Sequence, residues 1–257
     1  MKEQYEQRTR TFLPRRTYTI IRLDGKAFHT FTRGMDRPYD RKFMAAMDNT
    51  AKFLCGEIQG CKMAYVQSDE ISLLLTDFEK ITTDAWFDGQ VQKMVSVAAS
   101  MAAAKFNQEM LGQIISDRDI NIADTIFTMA SQSLALFDAR VFTIPDPVEV
   151  ENYFVWRQKD AVRNSISMHA QSLYSHKELH GKSQTDMHDM IHEKGENWND
   201  LPDEFKRGRT IIKRQIFLET DGEPISRTVW GIITPDFLKE RELLTRLIPK
   251  ITNELEL

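Results

Sequence analysis

The chain has 257 residues, of which 41% are hydrophobic and 28% charged, so it can bury a core as one domain or as one domain with an appendage. The N-terminus is polar, and no apolar run approaches the roughly 18 residues that span a bilayer, which argues against a signal peptide and against a membrane partner. The two cysteines, Cys55 and Cys61, are too few for a disulfide framework, so we expect reduced thiols in a cytoplasmic protein.

The first 147 residues alternate strand and helix patterns in the order β-α-β-β-α-β. The predicted elements are a strand over 18–23, a helix beginning near Asp40 and ending near Gly56, a hairpin over 62–76, a helix over 85–111 and a strand over 133–142. This is the order of the ferredoxin-like split arrangement. In that arrangement the end of the first strand lies beside the tip of the hairpin.

The composition changes after Pro147. The remaining predictions are a helix over 148–176, a polar stretch over 177–209, a second small sheet layer from Thr210–Leu218 and Thr228–Ile233, and a closing helix over 236–255. The fold class is therefore α+β. We expect a ferredoxin-like, polymerase-palm domain over 1–147, with a C-terminal helical and small-sheet extension over 148–257 packed on it.

Two acidic turns lie where the predicted topology brings strand ends together. Asp24 follows the first strand, and Asp69 and Glu70 lie at the hairpin tip. Acidic residues at strand ends are often only turn formers, but two convergent carboxylates can also share a pair of Mg²⁺ ions for phosphoryl transfer. Because strand side chains alternate, Glu70 points away from Asp69 and is the weaker candidate ligand. The candidate catalytic residues are Asp24, Asp69 and Glu70.

The segment after Asp24 favours nucleotide binding. Gly25 lacks a Cβ, so a ligand can approach its backbone and its carbonyl is free to bind a cation. In the next four residues, Lys26-Ala27-Phe28-His29, Lys26 and His29 are candidate donors to a triphosphate and Phe28 an apolar or stacking wall. This segment predicts a nucleotide triphosphate as ligand.

The basic residues are uneven in a chain of formal net charge −4. Arginines crowd the N-terminus, and Lys206, Arg207 and Arg209 occupy one short segment. Such clusters can hold phosphates while the rest of the surface stays acidic, although ordinary solvated surface explains each of them equally well. Arg207 and Arg209 are candidate RNA contacts.

Four blocks resemble the tRNA-histidine guanylyltransferase family: Arg22 to His29, Gln67-Ser68-Asp69-Glu70, Phe137 to Arg140 and Trp156 to Asp160. The resemblance implies a polymerase-like palm that adds nucleotides in the 3′-to-5′ direction to the 5′ end of tRNA. It also implies two Mg²⁺ ions held by Asp24, Asp69 and the Gly25 carbonyl. GTP, ATP or another nucleotide triphosphate would be held by the stretch from Asp24 to His29 with Ser68 and Asp69. It further implies activation of a 5′-monophosphate end, attack by an incoming 3′-hydroxyl, and a homotetramer with the tRNA crossing subunits.

One block departs from the eukaryotic members. Where these have His-Ile-Asn-Asn, the chain has Val162-Arg163-Asn164-Ser165, so only the asparagine matched by Asn164 remains. Asn164 is therefore the third candidate RNA contact. The following stretch resembles the prokaryotic members that repair truncated tRNA 5′ ends by template-dependent addition. We expect that activity, with a dedicated tRNA-histidine guanylyltransferase as the alternative.

Two further classes share parts of this pattern. A palm-type nucleotidyl cyclase uses the same pair of carboxylates, but a diguanylate cyclase has Gly-Gly-Asp/Glu-Glu-Phe where this chain has Gln67-Ser68-Asp69-Glu70. A non-catalytic RNA-binding module has the same strand order but stacks bases on aromatic residues of its central strands. Strand three here has none, which disfavours that module.

Overall fold

Six strands form one antiparallel sheet in a computed structural model that describes residues 1–116, 134–220 and 223–251. The strands are β1 Tyr18–Gly25, β2 Cys61–Gln67, β3 Glu70–Leu75, β4 Phe137–Ile144, β5 Arg209–Thr220 and β6 Glu223–Ile233. Their order across the sheet is β4-β1-β3-β2-β5-β6. The predicted neighbourhood of the first and third strands is confirmed, because Thr19 to Asp24 of β1 pair with Leu75 to Glu70 of β3.

Within the described ranges, seven α-helices lie between strands, and an eighth follows the last strand. They are α1 Phe28–Phe31, α2 Arg41–Glu57, α3 Val91–Ser116, α4 Pro147–Leu173, α5 His176–Leu179, α6 Gln184–Glu193, α7 Asp203–Arg207 and α8 Arg241–Leu247. Helix α2 begins where the sequence predicts, because the Asp40 carboxylate accepts the backbone N–H groups of Lys42 and Phe43. Helix α4 has the same kind of N-cap at Asp146, followed by Pro147, whose fixed φ suits the first helical turn.

The two faces of the sheet have separate cores. On the first face, Ile21 and Leu23 of β1 pack with α2 and α3. On the second face, the alternate residues Tyr18 and Ile20 pack with α4 and the segment around Phe237. The prediction of a mixed fold of helices and antiparallel sheet is confirmed.

The C-terminal strands differ from expectation. They form no second sheet layer, because β5 pairs with the edge of β2 from Met63 to Val66 and β6 pairs with β5. Pairing satisfies backbone groups that β2 would otherwise leave open at the sheet edge. The predicted closing helix is shorter, Arg241–Leu247, with its last predicted residues outside the described part of the chain. The start predicted for the fourth strand, Ser133, also lies outside that part.

Both cysteines are buried as free thiols, so no disulfide joins them. Among the helices of residues 1–116, 134–220 and 223–251, none combines the length and apolar character needed to cross a membrane.

Candidate active site

Strand pairing brings the two predicted acidic turns together. Asp24 at the end of β1 lies directly opposite Glu70 of β3, and Asp138 of β4 lies opposite Asp24 on the other side. The backbone N–H of Gly25 donates to the carbonyl of Asp69 at 3.2 Å, which ties the end of β1 to the β2–β3 turn. We call Asp24, Asp69, Glu70 and Asp138 the acidic end of the sheet.

Tight backbone geometry shapes this end. Ser68 and Ala27 have φ values of 45° and 55°, a left-handed conformation that residues with a side chain adopt at a cost in strain. A Cβ placed on Gly25 would lie 2.3 Å from the ring of Phe28, so no larger residue fits there without displacing that ring. Phe28 itself is a core residue that packs against Phe43, Phe106 and Phe137, which makes it a support for the site more than a stacking surface.

The Asp69 carboxyl is harder to ionise than a carboxyl in water. Burial and the nearby charge of Asp24 raise the pKa of Asp69 to about 6, against the hydrogen bonds within the turn. In the described parts of the chain, neither Asp24 nor Asp69 has a lysine or arginine within ion-pair distance, and no group of three metal-ligating side chains converges. Mg²⁺ commonly takes one or two carboxylates together with water and substrate phosphates, so these two carboxylates fit a cation that arrives with a nucleotide.

Glu70 is engaged elsewhere. Arg157 of α4 donates from Nε to Oε1 of Glu70 at 2.8 Å and from Nη2 to Oε2 at 2.7 Å, and both side chains are buried. The same Nη2 donates to Asp160 at 2.9 Å. Glu70 therefore anchors the β2–β3 turn, which carries Asp69, to α4. Sequence reasoning missed Arg157, although it lies in the Trp156 to Asp160 block.

A cleft of about 550 Å³ opens beside the acidic end. It is lined from the strand ends by Gly25, Ala27, Phe28, His29, Gln67, Ser68 and Asp69, and from the surrounding elements by residues that include Tyr39, Asn164, Met168, Phe205 and Arg209. The structure thus brings together every predicted nucleotide-binding residue except Asp24 and Lys26 around one cavity. Asp24 lies beside it at the end of β1, and Lys26 is exposed.

The predicted basic cluster is not an exposed surface. The Arg209 side chain is only 4% exposed, and its Nε donates to the buried Asp48 carboxylate at 2.8 Å. Arg207 is paired with Asp203 and, at 3.1 Å, with Asp236. Both arginines therefore form ion pairs with carboxylates of the same chain. Of the three candidate RNA contacts, only Asn164 is exposed.

A fold of helices on an antiparallel sheet, with carboxylates at adjacent strand ends beside a cleft of this size, is the arrangement expected of an enzyme that transfers nucleotides. The chain belongs to the Thg1 family, described as tRNAHis guanylyltransferase, whose model matches residues 1–145. The guanylyltransferases of this family are nucleotidyltransferases, so the predicted family and enzyme class are confirmed.

Relatives extend the match over nearly the whole chain. The tRNA(His) guanylyltransferase of Debaryomyces hansenii is 28% identical over 229 residues, covering 84% of this chain and 80% of that one. Solved structures of a bacterial tRNA(His) guanylyltransferase (Thg1)-like protein in complex with ATP and with GTP are both 40% identical and cover 96% of each chain. Their TM-scores are 0.80 and 0.77.

Proposed function

We propose that the enzyme adds nucleotides in the 3′-to-5′ direction to the 5′ end of truncated tRNA, with a complementary base as template. The observation that carries this proposal is the pair of uncompensated carboxylates, Asp24 and Asp69, beside a cleft large enough for a nucleotide. The resemblance to a Thg1-like protein solved with ATP and with GTP supports a nucleotide triphosphate as the occupant.

The strand ends would hold the nucleotide and its metal. Asp24, Asp69 and the Gly25 carbonyl would bind two Mg²⁺ ions, which, when bound, neutralise the charge on the reacting phosphates. Ser68 and the stretch from Ala27 to His29 line the cleft and would surround the triphosphate, with the exposed Lys26 at its edge. Glu70 would act through its position, by fixing the turn that carries Asp69.

The reaction would have two steps in this cleft. The 5′-monophosphate of the RNA first attacks the α-phosphorus of a nucleotide triphosphate, and pyrophosphate leaves. The 3′-hydroxyl of the incoming nucleotide then attacks the activated 5′-phosphorus, and the activating nucleotide leaves as its monophosphate. The contribution of the protein is to align these groups and to hold the phosphates beside Asp24 and Asp69.

Residues Val162 to Ser165 of α4 support selection of the incoming nucleotide by the template base instead of by protein side chains. At the position of the second asparagine, Ser165 is buried and its hydroxyl is bonded to Tyr39 and to the Trp198 indole, so it braces the helix instead of facing RNA. Val162 is an apolar residue that packs against the small core beneath α4. Of the segment from Val162 to Ser165, the exposed residue that lines the cleft is Asn164, which would contact the RNA.

A dedicated tRNA-histidine guanylyltransferase is the second candidate, favoured by the description of the family and by the name of the Debaryomyces relative. We further propose that residues 1–147 form a polymerase-palm domain, that 148–257 complete it, and that the assembly is a homotetramer, as the family resemblance implies.

The deciding assay supplies truncated tRNAs whose base opposite the missing 5′ nucleotide is varied, and sequences the 5′ ends produced. We expect the added nucleotide to follow the opposing base in several tRNAs and addition to stop when the stem is complete. Guanosine added regardless of that base, and to tRNA-histidine alone, would establish the second candidate. Cyclic product from GTP and Mg²⁺ without RNA would identify a cyclase instead.

A further inference from the structure

The second face of the sheet carries a row of like charges next to the acidic end. Arg22 of β1 and Arg140 of β4 lie directly opposite each other, two residues along their strands from Asp24 and Asp138. Opposed residues of antiparallel strands point to the same face, and like charges so placed repel each other. We call Arg22 and Arg140 the arginine row. It lies roughly 7 Å along the strands from Asp24 and Asp138.

The charge of this row is poorly compensated. Arg140 reaches Asp138 only at 3.5 Å, with both side chains more than half exposed. Within the described parts of the chain, Arg22 has no carboxylate within ion-pair distance, and its Nε is buried without a hydrogen-bond partner. By contrast, the neighbouring Arg157 is fully committed to Glu70 and Asp160. The row therefore favours an anion from outside the chain.

Trp156 borders the same row. It is 48% exposed, although the flanking residues Val155 and Arg157 on α4 are buried. The guanidinium carbons of Arg22 and Arg157 lie 5.9 Å and 4.4 Å from its ring centroid. Exposing the indole to water is unfavourable, and here the ring fills no core in return. An aromatic ring beside cationic groups is typical of surfaces that bind single-stranded nucleic acid by stacking.

We propose that Trp156 and the arginine row bind an unpaired nucleotide of the RNA end, with the base on the indole and the backbone phosphate on Arg22 and Arg140. This inference rests on the proposed function, because it needs an RNA terminus as substrate. It adds a second contact surface on the sheet face, separate from the residues that line the cleft. Its position beside Asp24 would hold the strand end next to the reacting groups.

The test measures binding of two RNA hairpins, one with a recessed 5′ end that leaves a base unpaired and one with a blunt end. Trp156→Ala should weaken binding of the recessed hairpin by about 5- to 150-fold, the usual effect of losing one stacked base. Binding of the blunt hairpin and of GTP should stay within about twofold of the unmodified protein. Trp156→Phe should retain most of the affinity. Phe217→Ala, which removes another exposed aromatic far along β5, is the matched control.

Charge is tested in the same assay. Arg140→Gln should reduce the salt dependence of binding to the recessed hairpin by about 0.7 in log–log slope, the value for one lost phosphate contact to a single strand. Arg246→Gln, an exposed arginine of α8, should leave the slope unchanged.

Each other outcome has a definite meaning. Equal losses for blunt and recessed hairpins in Trp156→Ala, or no loss for either, would overturn the proposal. Loss of GTP binding alone would show that the surface holds a nucleotide triphosphate instead and would overturn it too. If Trp156→Ala weakens binding of the recessed hairpin but the wild-type protein never extends that RNA, the proposed function fails while this inference stands. If Trp156→Ala changes neither binding nor extension, this inference fails while the proposed function stands.

Discussion

The buried ion pair between Arg157 and Glu70 gives a quantitative prediction about the β2–β3 turn. Arg157→Ala would leave the Glu70 carboxylate buried with Gln67 and Ser72, each at 3.4 Å, as its remaining side-chain donors among the described residues. Removing one partner of a buried pair costs about 3–5 kcal/mol, so we expect a loss of this size in the free energy of unfolding. The rate of nucleotide addition should fall as well, because the turn that carries Asp69 loses its anchor.

Urea denaturation and single-turnover extension at saturating nucleotide measure the two effects separately. Arg163→Ala is the matched control, since its pair with Asp160 on the same helix is 58% exposed at the arginine and should contribute less than about 1 kcal/mol. The double variant Glu70→Gln/Arg157→Met should be more stable than Arg157→Ala, because no uncompensated charge remains buried. A cost for Arg157→Ala no larger than that of Arg163→Ala would refute this account of the turn.

Three further predictions concern the site. Asp24→Ala and Asp69→Ala should each abolish nucleotide addition while the fold stays intact, because each loses several kcal/mol of transition-state stabilisation. Glu70→Ala should have a milder effect. Single-turnover rates measure the addition, and circular dichroism checks the fold. The pKa of Asp69 is raised to about 6, so its ionisation opposes folding as the pH rises from the usual aspartate range through this value. Without metal, Asp69→Asn should therefore stabilise the protein by at most about 3 kcal/mol at about pH 7.5 and leave its stability unchanged at about pH 4. Thermal melts in the presence of a chelator measure this difference. Arg209→Ala should destabilise by about 3–5 kcal/mol through its buried carboxylate partner, more than Arg207→Ala; a drop in tRNA affinity at unchanged melting temperature would contradict this.

The acidic end was predictable from sequence because two local features determine it. Asp24 and Asp69 each end a recognisable apolar strand, and the order of elements places those ends side by side. The pairings of Arg157 with Glu70 and of Arg209 with Asp48 were not predictable, since the partners are 87 and 161 residues apart and neither position has a local pattern that names its partner. A strand pattern likewise identified Thr210–Leu218 as extended but carried no information about which edge it joins.

The continuous sheet also limits how residues 1–147 can be separated from the rest of the chain. The family model ends at residue 145, yet β5 covers the edge of β2 and α4 supplies the only side chain that neutralises Glu70 among the described residues. A chain that ended at residue 147 would expose a strand edge prone to pairing with other molecules and would leave a bare carboxylate beneath the turn. The stretch that the family model matches is therefore shorter than the stretch that completes the sheet and neutralises Glu70, and we expect a segment ending at residue 147 to be unstable on its own.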